Sequence, residues 1–425
     1  MIWIYRGLVA PLLVFVSFIL TPFLPKLRAT LRLKMQPRPP KPNGQRPLWL
    51  HAASGEFEYA KAVIQELKKK WPELPLLVTY SSPSFVKNIE SFPGVDLSLA
   101  MPLDLPGPIT SFLRYYQPYA LLLARTDLWP ELLHQCRQKK IPIILFAYTQ
   151  RDPALMSPLA RWLRRTLLRQ VDHNWCVSEA DQSALTKMGI LNSQAIGDPR
   201  YDQVERRLRS PKNVTPPGLQ TDGPPILVAG STWSADESIL LEALAPLCRD
   251  LKLRLILVPH EPSNEHLVRL ARRLDTHQLA RQRFSVLKEK WNTPVLVVDQ
   301  VGRLAELYPL GQMAFVGGSF RGSVHSVMEP LGAGSWTLVG PDHLNNREAL
   351  EFSKIQCEEF SLVQPVTSAE EFKSKVEMFL QNPERMDRVQ KTITREFQSR
   401  LGASRSLVEQ LAALKIIDSR EVPSP

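Results

Sequence analysis

The chain has 425 residues, 44% of them hydrophobic and 22% charged, a balance that excludes a wholly disordered protein. Its length exceeds the size at which single hydrophobic cores stop growing, so two domains are expected. A net charge of +11 asks for an anionic partner, whether nucleic acid, anionic lipid or a phosphorylated substrate; Cys136, Cys176, Cys248 and Cys357 are too scattered for a zinc site or disulfide framework and fit a reducing compartment.

Residues 7–24 are apolar apart from Ser17 and Thr21, with Arg6 before them and Lys26, Arg28, Arg32 and Lys34 after. The stretch is at the lower edge of what a spanning helix needs, and Pro11 and Pro22 interrupt it. No small-residue cleavage site follows, so residues 1–35 read as a retained membrane anchor, either spanning the bilayer or lying in one leaflet. The larger cationic cluster follows the apolar stretch, which places the rest of the chain in the cytoplasm.

A proline-rich linker, QPRPPKPNGQR at 36–46, leads to the first domain, expected over 36–205. Apolar strands are predicted at 48–50, 76–79, 119–124, 143–147 and 174–177, with helical patterns between most of them, the first over 57–70. Residues 206–225 read as a domain linker. The second domain, 226–425, restarts the pattern with strands at 226–229, 253–258, 295–298, 313–316 and 337–339; residues 368–414 look wholly helical and end it, and could pack back on the first. Strands alternating with helices predict parallel sheets covered on both faces, hence two α/β domains with a cleft between them for a small ligand. No internal repeat of solenoid period is present.

The chemistry-bearing residues fall where these strands end. Glu56, in HAASGE after the first strand, is either a general base or an acid complementing a helix dipole. Ser231 and Thr232, in GSTWSADE, offer donors to a phosphate or an N-cap to a helix. His260 could donate to a substrate anion or be a structural residue, and Arg200, in GDPRYD, could meet the same anion or only solvent. Asp127, Trp129 and Glu131 follow another strand, with Trp129 reading as core. Gly317, Gly318 and Ser319 make a flexible turn after the strand 313–316, before a short helix around 326–331. That turn and helix start read as an anion site. His325 and Glu329, four apart, share a helical face, suited to a phosphate or sugar oxygen and to a ribose diol, or are an incidental surface pair. The basic amphipathic stretch LARWLRRTLLRQ at 159–170 suits a membrane surface or a solvated helix face equally. No Asp-x-Asp pair or close His cluster appears, so a metal-free mechanism without a cofactor is expected.

Taken in order, these pieces resemble the bacterial 3-deoxy-D-manno-octulosonic acid (Kdo) transferases, from the N-terminal segment to about residue 355. HAASGE resembles the family's HAxSxGE, one residue shorter before Gly-Glu, and DLWP at 127–130 resembles ELWP. Gly230 to Thr232 with Asp236 and Glu237 is similar to GST with an acidic pair, and GDPRYD to GNxKxD. Gly317 to Ser319, His325 to Pro330, and Gly340-Pro341 with Asn345 resemble GGS, HNxLEP and GP with its following Asn. Arg125 stands where the family commonly has Glu, Ser326 replaces Asn, and PHEPSNEH varies on PRHPER.

The resemblance implies a GT-B fold, two Rossmann-like domains facing a central cleft, and an inverting transfer of Kdo from CMP-Kdo to a lipid A precursor in lipopolysaccharide biosynthesis. It implies Glu56 as the base, with acceptor contacts at Ser54, Gly55 and Asp127. Donor contacts are implied at Ser231, Thr232, His260, Gly317, Gly318, Ser319, His325, Glu329 and Asn345, the Glu329 carboxylate holding the ribose. The expected partners are CMP-Kdo, a phosphorylated glycolipid and anionic lipids of the inner membrane, with the catalytic domains on its cytoplasmic side; no nucleic acid is expected. The alternatives are another GT-B nucleotide-sugar transferase and an inactive tethered binder of nucleotide or glycolipid.

Overall fold

The computed structural model describes residues 1–36, 38–83, 86–150, 152–209, 223–288 and 290–417. Two compact units divide the chain: Met1–Gln203 with the residues from Arg400 on, and Val204–Ser399.

The first unit is built on β1 (Leu48–His51), β2 (Leu76–Tyr80), β3 (Leu97–Ala100), β4 (Ala120–Ala124), β5 (Ile143–Tyr148), β6 (His173–Cys176) and β7 (Ser193–Ala195). They form one sheet in the order β3-β2-β1-β4-β5-β6-β7, every pairing parallel. Runs such as LLVTY, ALLLA and IILFAY are buried at every position, as strands covered by helices on both faces must be. Only β3 and β7, the two edges, are half-exposed, and the sequence pattern missed both for that reason.

Helix Phe57–Lys70 follows β1. It buries Phe57, Ala60, Val63, Ile64 and Leu67 on one face, while Lys68, Lys69 and Lys70 meet the negative end of its dipole.

The chain returns to this first core at its end, the packing back on the first domain that residues 368–414 allowed for. Helix Ala403–Ala413 packs Leu407, Val408 and Leu411 into the same apolar cluster as Val63, Ile64 and Leu67. The carboxylate of Asp202 holds it in place, accepting from the Gly402 amide (2.6 Å), the Ser404 amide (2.7 Å) and the Ser404 hydroxyl (2.5 Å). The expected wholly helical tail is three helices, Ala369–Leu380, Pro383–Gln398 and Ala403–Ala413, broken at Asn382-Pro383 and at Gly402 in the left-handed region. Of the expected linker at 206–225, residues 206–209 continue the helix Pro199–Arg209, and 210–222 lie outside the described residues.

The N-terminal segment is helical over 2–20, with a π turn at Tyr5–Val9, and again over Pro25–Lys34. No helix among the described residues is long and apolar enough to cross a membrane. Its large side chains nonetheless face outward, Trp3 being 77%, Leu8 65% and Phe15 62% exposed. Arg6 ties it to the first unit through a two-pronged pair with the fully buried Glu131, Nε–Oε2 2.8 Å and Nη2–Oε1 2.7 Å. Burial opposes the charge on Glu131, but the hydrogen bond from Arg6 overrides it and holds the carboxyl below its usual range. An arginine that reads as a flank in the sequence is therefore a tether.

The second unit repeats the architecture with β8 (Ile226–Thr232), β9 (Arg254–Pro259), β10 (Arg281–Arg283), β11 (Val295–Val297), β12 (Met313–Val316), β13 (Trp336–Val339), a small antiparallel pair β14 (Gln356–Cys357) and β15 (Phe360–Ser361), and β16 (Val363–Pro365). The main sheet runs β10-β11-β9-β8-β12-β13-β16, again wholly parallel. In each sheet the order reverses beside the first strand, between β1 and β4 and between β8 and β12. Those reversals are where α/β sheets leave a crevice beyond the carboxyl ends of their strands.

Candidate functional site

Both crevices are occupied by the residues singled out from the sequence. In the first unit the chain leaves β1 at His51 and turns through Ser54-Gly55 into helix Phe57–Lys70, with Glu56 as the helix's first flanking residue. The Glu56 carboxylate bends back to accept the Ser54 amide (3.0 Å) and hydroxyl (3.3 Å). Glu56 is half-buried and its hydrogen bonds go to Ser54, not to the free N–H groups of the helix start, which favours a reactive role over a capping one. A Cβ added at Gly55 would meet nothing within 4 Å, so the space beside the residue preceding Glu56 is open.

Beside it runs a buried chain of hydrogen bonds. Trp49 Nε1 donates to Thr79 Oγ1 (2.8 Å), Thr79 lies 2.8 Å from His51 Nδ1, and His51 Nε2 lies 2.6 Å from Asp127 Oδ2. One tautomer satisfies every member: the Thr79 hydroxyl donates to Nδ1 and Nε2–H donates to Asp127. Burial works against the Asp127 charge, yet the bond from His51, with Lys34 nearby, holds the carboxyl below its usual range. The expected acceptor contact Asp127 thus has His51 as a fixed partner. Trp129 packs half-buried against the core, as its composition suggested.

The second unit treats its carboxylates differently. β8 ends in a bulge where Ser231 is left-handed (φ 54°), and Thr232 turns inward, fully buried, its hydroxyl donating to Glu237 (3.3 Å). Glu237 also meets His266 (2.7 Å) and Arg273 (3.2 Å). Neither Ser231 nor Thr232 caps the following helix Ser234–Arg249; its N-cap is Trp233, whose amide donates to Asp236 (2.9 Å). That same carboxylate takes the Gly318 amide (2.8 Å) and the Phe320 amide (3.1 Å). Burial pushes the Asp236 carboxyl up, against the downward pull of these three amides.

This alters the expected anion site at the glycine turn. Two of the amides it offers are already bound by Asp236, and the buried Ser319 hydroxyl donates to the Val316 carbonyl (2.8 Å). Gly317 is required for a different reason: a Cβ there would lie 2.3 Å from the Ser231 carbonyl oxygen, because β8 and β12 converge at their ends. Gly318 is left-handed (φ 80°) and its Cβ would meet the Ser323 carbonyl at 2.3 Å. The glycines here allow close backbone packing, which a sequence cannot distinguish from close approach of a ligand.

What the second crevice presents is a stack of rings. The Arg321 guanidinium lies 3.8 Å over Trp233; Trp233 stacks on His260 (4.8 Å), and His260 on His325 (4.4 Å, 14° between planes). Trp233 Nε1 donates to His325 Nε2 (3.3 Å), which requires that nitrogen to be unprotonated. Burial, helped by the neighbouring His260, lowers the His325 pKa in agreement.

The expected helix at 326–331 is the short Met328–Gly332, with the Ser326 hydroxyl accepting the Met328 amide (3.3 Å). Glu329 is half-buried there, and no side chain among the described residues bonds it. Asn345 is exposed and bonds Ser323. Its neighbour Asn346 holds the His325 carbonyl (3.0 Å) and caps helix Arg347–Ser353 through the Ala349 amide (2.9 Å). The capping pattern of an Asn at the head of NREALEF could have marked Asn346; nothing in sequence marks the Arg321–Trp233 pairing. Among the described residues no three His, Cys, Asp or Glu gather as a metal site would need.

The family model for 3-deoxy-D-manno-octulosonic-acid transferase (kdotransferase) matches residues 28–203. The 3-deoxy-D-manno-octulosonic acid transferase of Haemophilus influenzae is 26% identical over 365 residues, 82% of each chain. That of Bordetella pertussis is 27% identical over 322 residues, 71% of this chain and 73% of its own. With the Rickettsia felis transferase, 24% identical, the aligned region spans 65% of that relative's length. Among solved structures, UDP-GlcNAc 2-epimerase from Neisseria meningitidis is similar over 86% of this chain and 99% of its own, with a TM-score of 0.61 at 14% identity. A glycosyltransferase from Rickettsia africae covers 88% of this chain and 99% of its own, with a TM-score of 0.54 at 11% identity. The structural likenesses establish two parallel-sheet α/β domains and nothing finer. With the matched N-terminal domain and relatives aligned over most of its length, the chain is similar to the bacterial 3-deoxy-D-manno-octulosonic acid transferases.

Proposed function

We propose that the protein is an inverting GT-B glycosyltransferase that moves Kdo from CMP-Kdo to a hydroxyl of a phosphorylated lipid A precursor in lipopolysaccharide biosynthesis. The observation that carries this reading is the carboxylate of Glu56, fixed by Ser54 at the end of β1 with open space at Gly55, inside the part of the chain that matches the family. A held acceptor within hydrogen-bond reach of an incoming hydroxyl is what a general base requires. As the sugar hydroxyl attacks the anomeric carbon, Glu56 takes its proton and the bond to the CMP phosphate oxygen breaks. Asp127 acts on the acceptor side through His51.

The second unit takes the donor. Glu329, unbonded among the described side chains, is suited to the ribose hydroxyls, and the exposed edge of His260 and the Arg321 guanidinium are suited to the phosphate. Ser231, His325 and Asn345 border the same surface. Thr232 and Ser319 contribute as supports, since their hydroxyls are engaged within the fold. Gly317 and Gly318 shape the turn that carries Arg321.

We place the protein at the cytoplasmic face of the inner membrane, among anionic lipids. Two features support this. The N-terminal helices leave Trp3, Leu8, Leu12 and Phe15 exposed, and a cavity of about 870 Å³ lined by Leu13, Val14, Leu31, Leu103, Arg28 and Lys34 lies between them and the body of the first unit. Helix Pro158–Leu168 turns Leu159, Trp162 and Leu163 outward beside its arginines.

Product mass spectrometry after single turnover with CMP-Kdo and a tetraacyl disaccharide acceptor tests the reading. Transfer should be detected, and Glu56→Gln should slow it by about 10²- to 10⁴-fold with an unchanged melting temperature. Full activity in that variant removes Glu56 as the base; no transfer by the unaltered protein removes the function.

A further inference from the structure

Three residues beside Glu56 make a cluster that the reaction as described does not use. Tyr59, buried on the first turn of helix Phe57–Lys70, carries two guanidinium groups over its ring, Arg125 Cζ at 5.0 Å and Arg200 Cζ at 4.3 Å from the ring centre. Tyr59 is three residues from Glu56, whose carbonyl accepts its amide (3.1 Å), so the two residues share one helical turn.

The two cations differ in how they are neutralised. Arg200 grips the buried Asp198 with three contacts of 2.6 to 3.2 Å. Arg125 makes no ion pair with a carboxylate among the described residues. Its Nη2 lies 3.4 Å from Thr149 Oγ1, at the outer limit of a hydrogen bond, and its Nε is sheltered without a partner. The cluster therefore carries one uncompensated positive charge, against a ring that keeps it from rotating away.

Its backbone was placed at a cost. Arg125 follows β4 with φ at 63°, a left-handed conformation that L side chains rarely adopt, and its amide is locked to the Phe146 carbonyl (2.8 Å). An under-paired arginine in a strained position at the sheet's reversal point is the arrangement expected where a ligand supplies the missing partner.

We propose that Arg125 and Arg200, gathered on Tyr59, form an oxyanion subsite that receives an anionic substituent of the acceptor, a phosphate or a carboxylate, and so orients its hydroxyl toward Glu56. This rests on the reading of the first unit as the acceptor domain. Arg125 is the main contact, because Arg200 is already shared with Asp198. The triangle inequality keeps the two guanidinium carbons within the sum of their distances to the ring centre. Modest side-chain motion then lets both reach one polyatomic oxyanion.

Calorimetry on the full-length protein in detergent tests this with three soluble glucosamine disaccharides: one bearing phosphates, one bearing a carboxylate, one bearing neither. Two variants are compared, Arg125→Gln and Arg125→Gly. The glycine variant suits a φ of 63° and should keep or raise the melting temperature. We expect the unaltered protein to bind one anionic disaccharide at least about tenfold more tightly than the neutral one, and both variants to lose that margin while retaining their affinity for CMP. Which anionic probe shows the margin identifies the group. The idea is overturned if the unaltered protein shows no margin, if the variants keep it, or if the neutral disaccharide weakens equally. Kdo transfer measured on the same samples separates the two readings: transfer without the margin sinks the subsite alone, and the margin without transfer sinks the assigned reaction alone.

Discussion

The two sheets end at equivalent reversal points but use their charged groups in opposite ways. At β1 and β4 the carboxylate of Glu56 is held by one residue and left open, with Arg125 under-paired close by. At β8 and β12 the carboxylates of Asp236 and Glu237 are turned inward, binding the amides of Trp233, Gly318 and Phe320 and the side chains of Thr232, His266 and Arg273. The first crevice leaves an acid held by Ser54 alone among the described side chains; the second uses acids as struts and presents rings and a cation. A glycine-rich turn beyond a strand is consequently not an anion site in itself, because an internal carboxylate can fill the nest that its amides form.

The sharpest way to break this contrast is at Gly317. Its Cβ would be driven to 2.3 Å from the Ser231 carbonyl oxygen and 2.7 Å from the Ser231 carbon, both backbone atoms that cannot rotate aside. Gly317→Ala should cost about 3 kcal/mol or more, read as a fall in the denaturant midpoint of the second unit; a variant as stable as the parent would mean the strand ends do not converge as described. Asp236→Ala comes next. It strands the three amides that the carboxylate holds, and should cost about 2 to 3 kcal/mol in the same measurement. If Asp236 were instead a donor ligand, the loss would appear in CMP affinity with stability intact.

These residues also mark how far the sequence could be read. The central strands were legible because apolar runs such as ALLLA and IILFAY leave no other way to be buried on both sides. The helix Phe57–Lys70 was legible from its single apolar stripe. Edge strands were not, since half-exposed residues such as those of Leu97–Ala100 carry no such run. The return of helix Ala403–Ala413 to the first unit was open to the sequence but not fixed by it: Leu407, Val408 and Leu411 say that a face is buried, not against what. At the sites, residue types were foreseeable and partners were not. Glu56 was legible as a polar residue just beyond β1, and His325 and Glu329 as polar residues in the segment after β12. Thr232 and Ser319 read as phosphate donors because a hydroxyl's direction is set by neighbours distant in sequence, Glu237 by the bulge at Ser231 and Val316 by the turn at Gly318.

The ring stack gives a smaller effect with a definite sign. Burial lowers the His325 pKa below the value near 6.5 that the unfolded chain would have, so the unfolded state binds more protons as pH falls through that value. Stability should be full above it and decline below it, toward the folded pKa. The groups around the ring reinforce the trend: His260 stacks on it at 4.4 Å, Trp233 needs its unprotonated nitrogen, and Arg321 adds charge over Trp233. Chemical denaturation at pH 7.5 and 5.5 should show a larger acid loss for the parent than for His325→Gln. An equal loss would place the histidine outside the buried stack.

The smallest effect is expected at Gly55, which follows β1 beside the first reversal point as Gly317 follows β12 beside the second. Its φ is not in the left-handed region and an added methyl would meet nothing within 4 Å, so neither strain nor clash opposes a side chain there. Gly55→Ala should change stability by less than about 0.5 kcal/mol, while Gly317→Ala, the same change beside the reversal point of the second sheet, is the most damaging of the series. Any fall in the transfer rate of the Gly55 variant then reports the methyl group standing in the path of the acceptor, since the fold gives it no other reason to matter. An unchanged rate would show that the acceptor reaches Glu56 from another side, and would move the search for its contacts toward Tyr59 and Arg125.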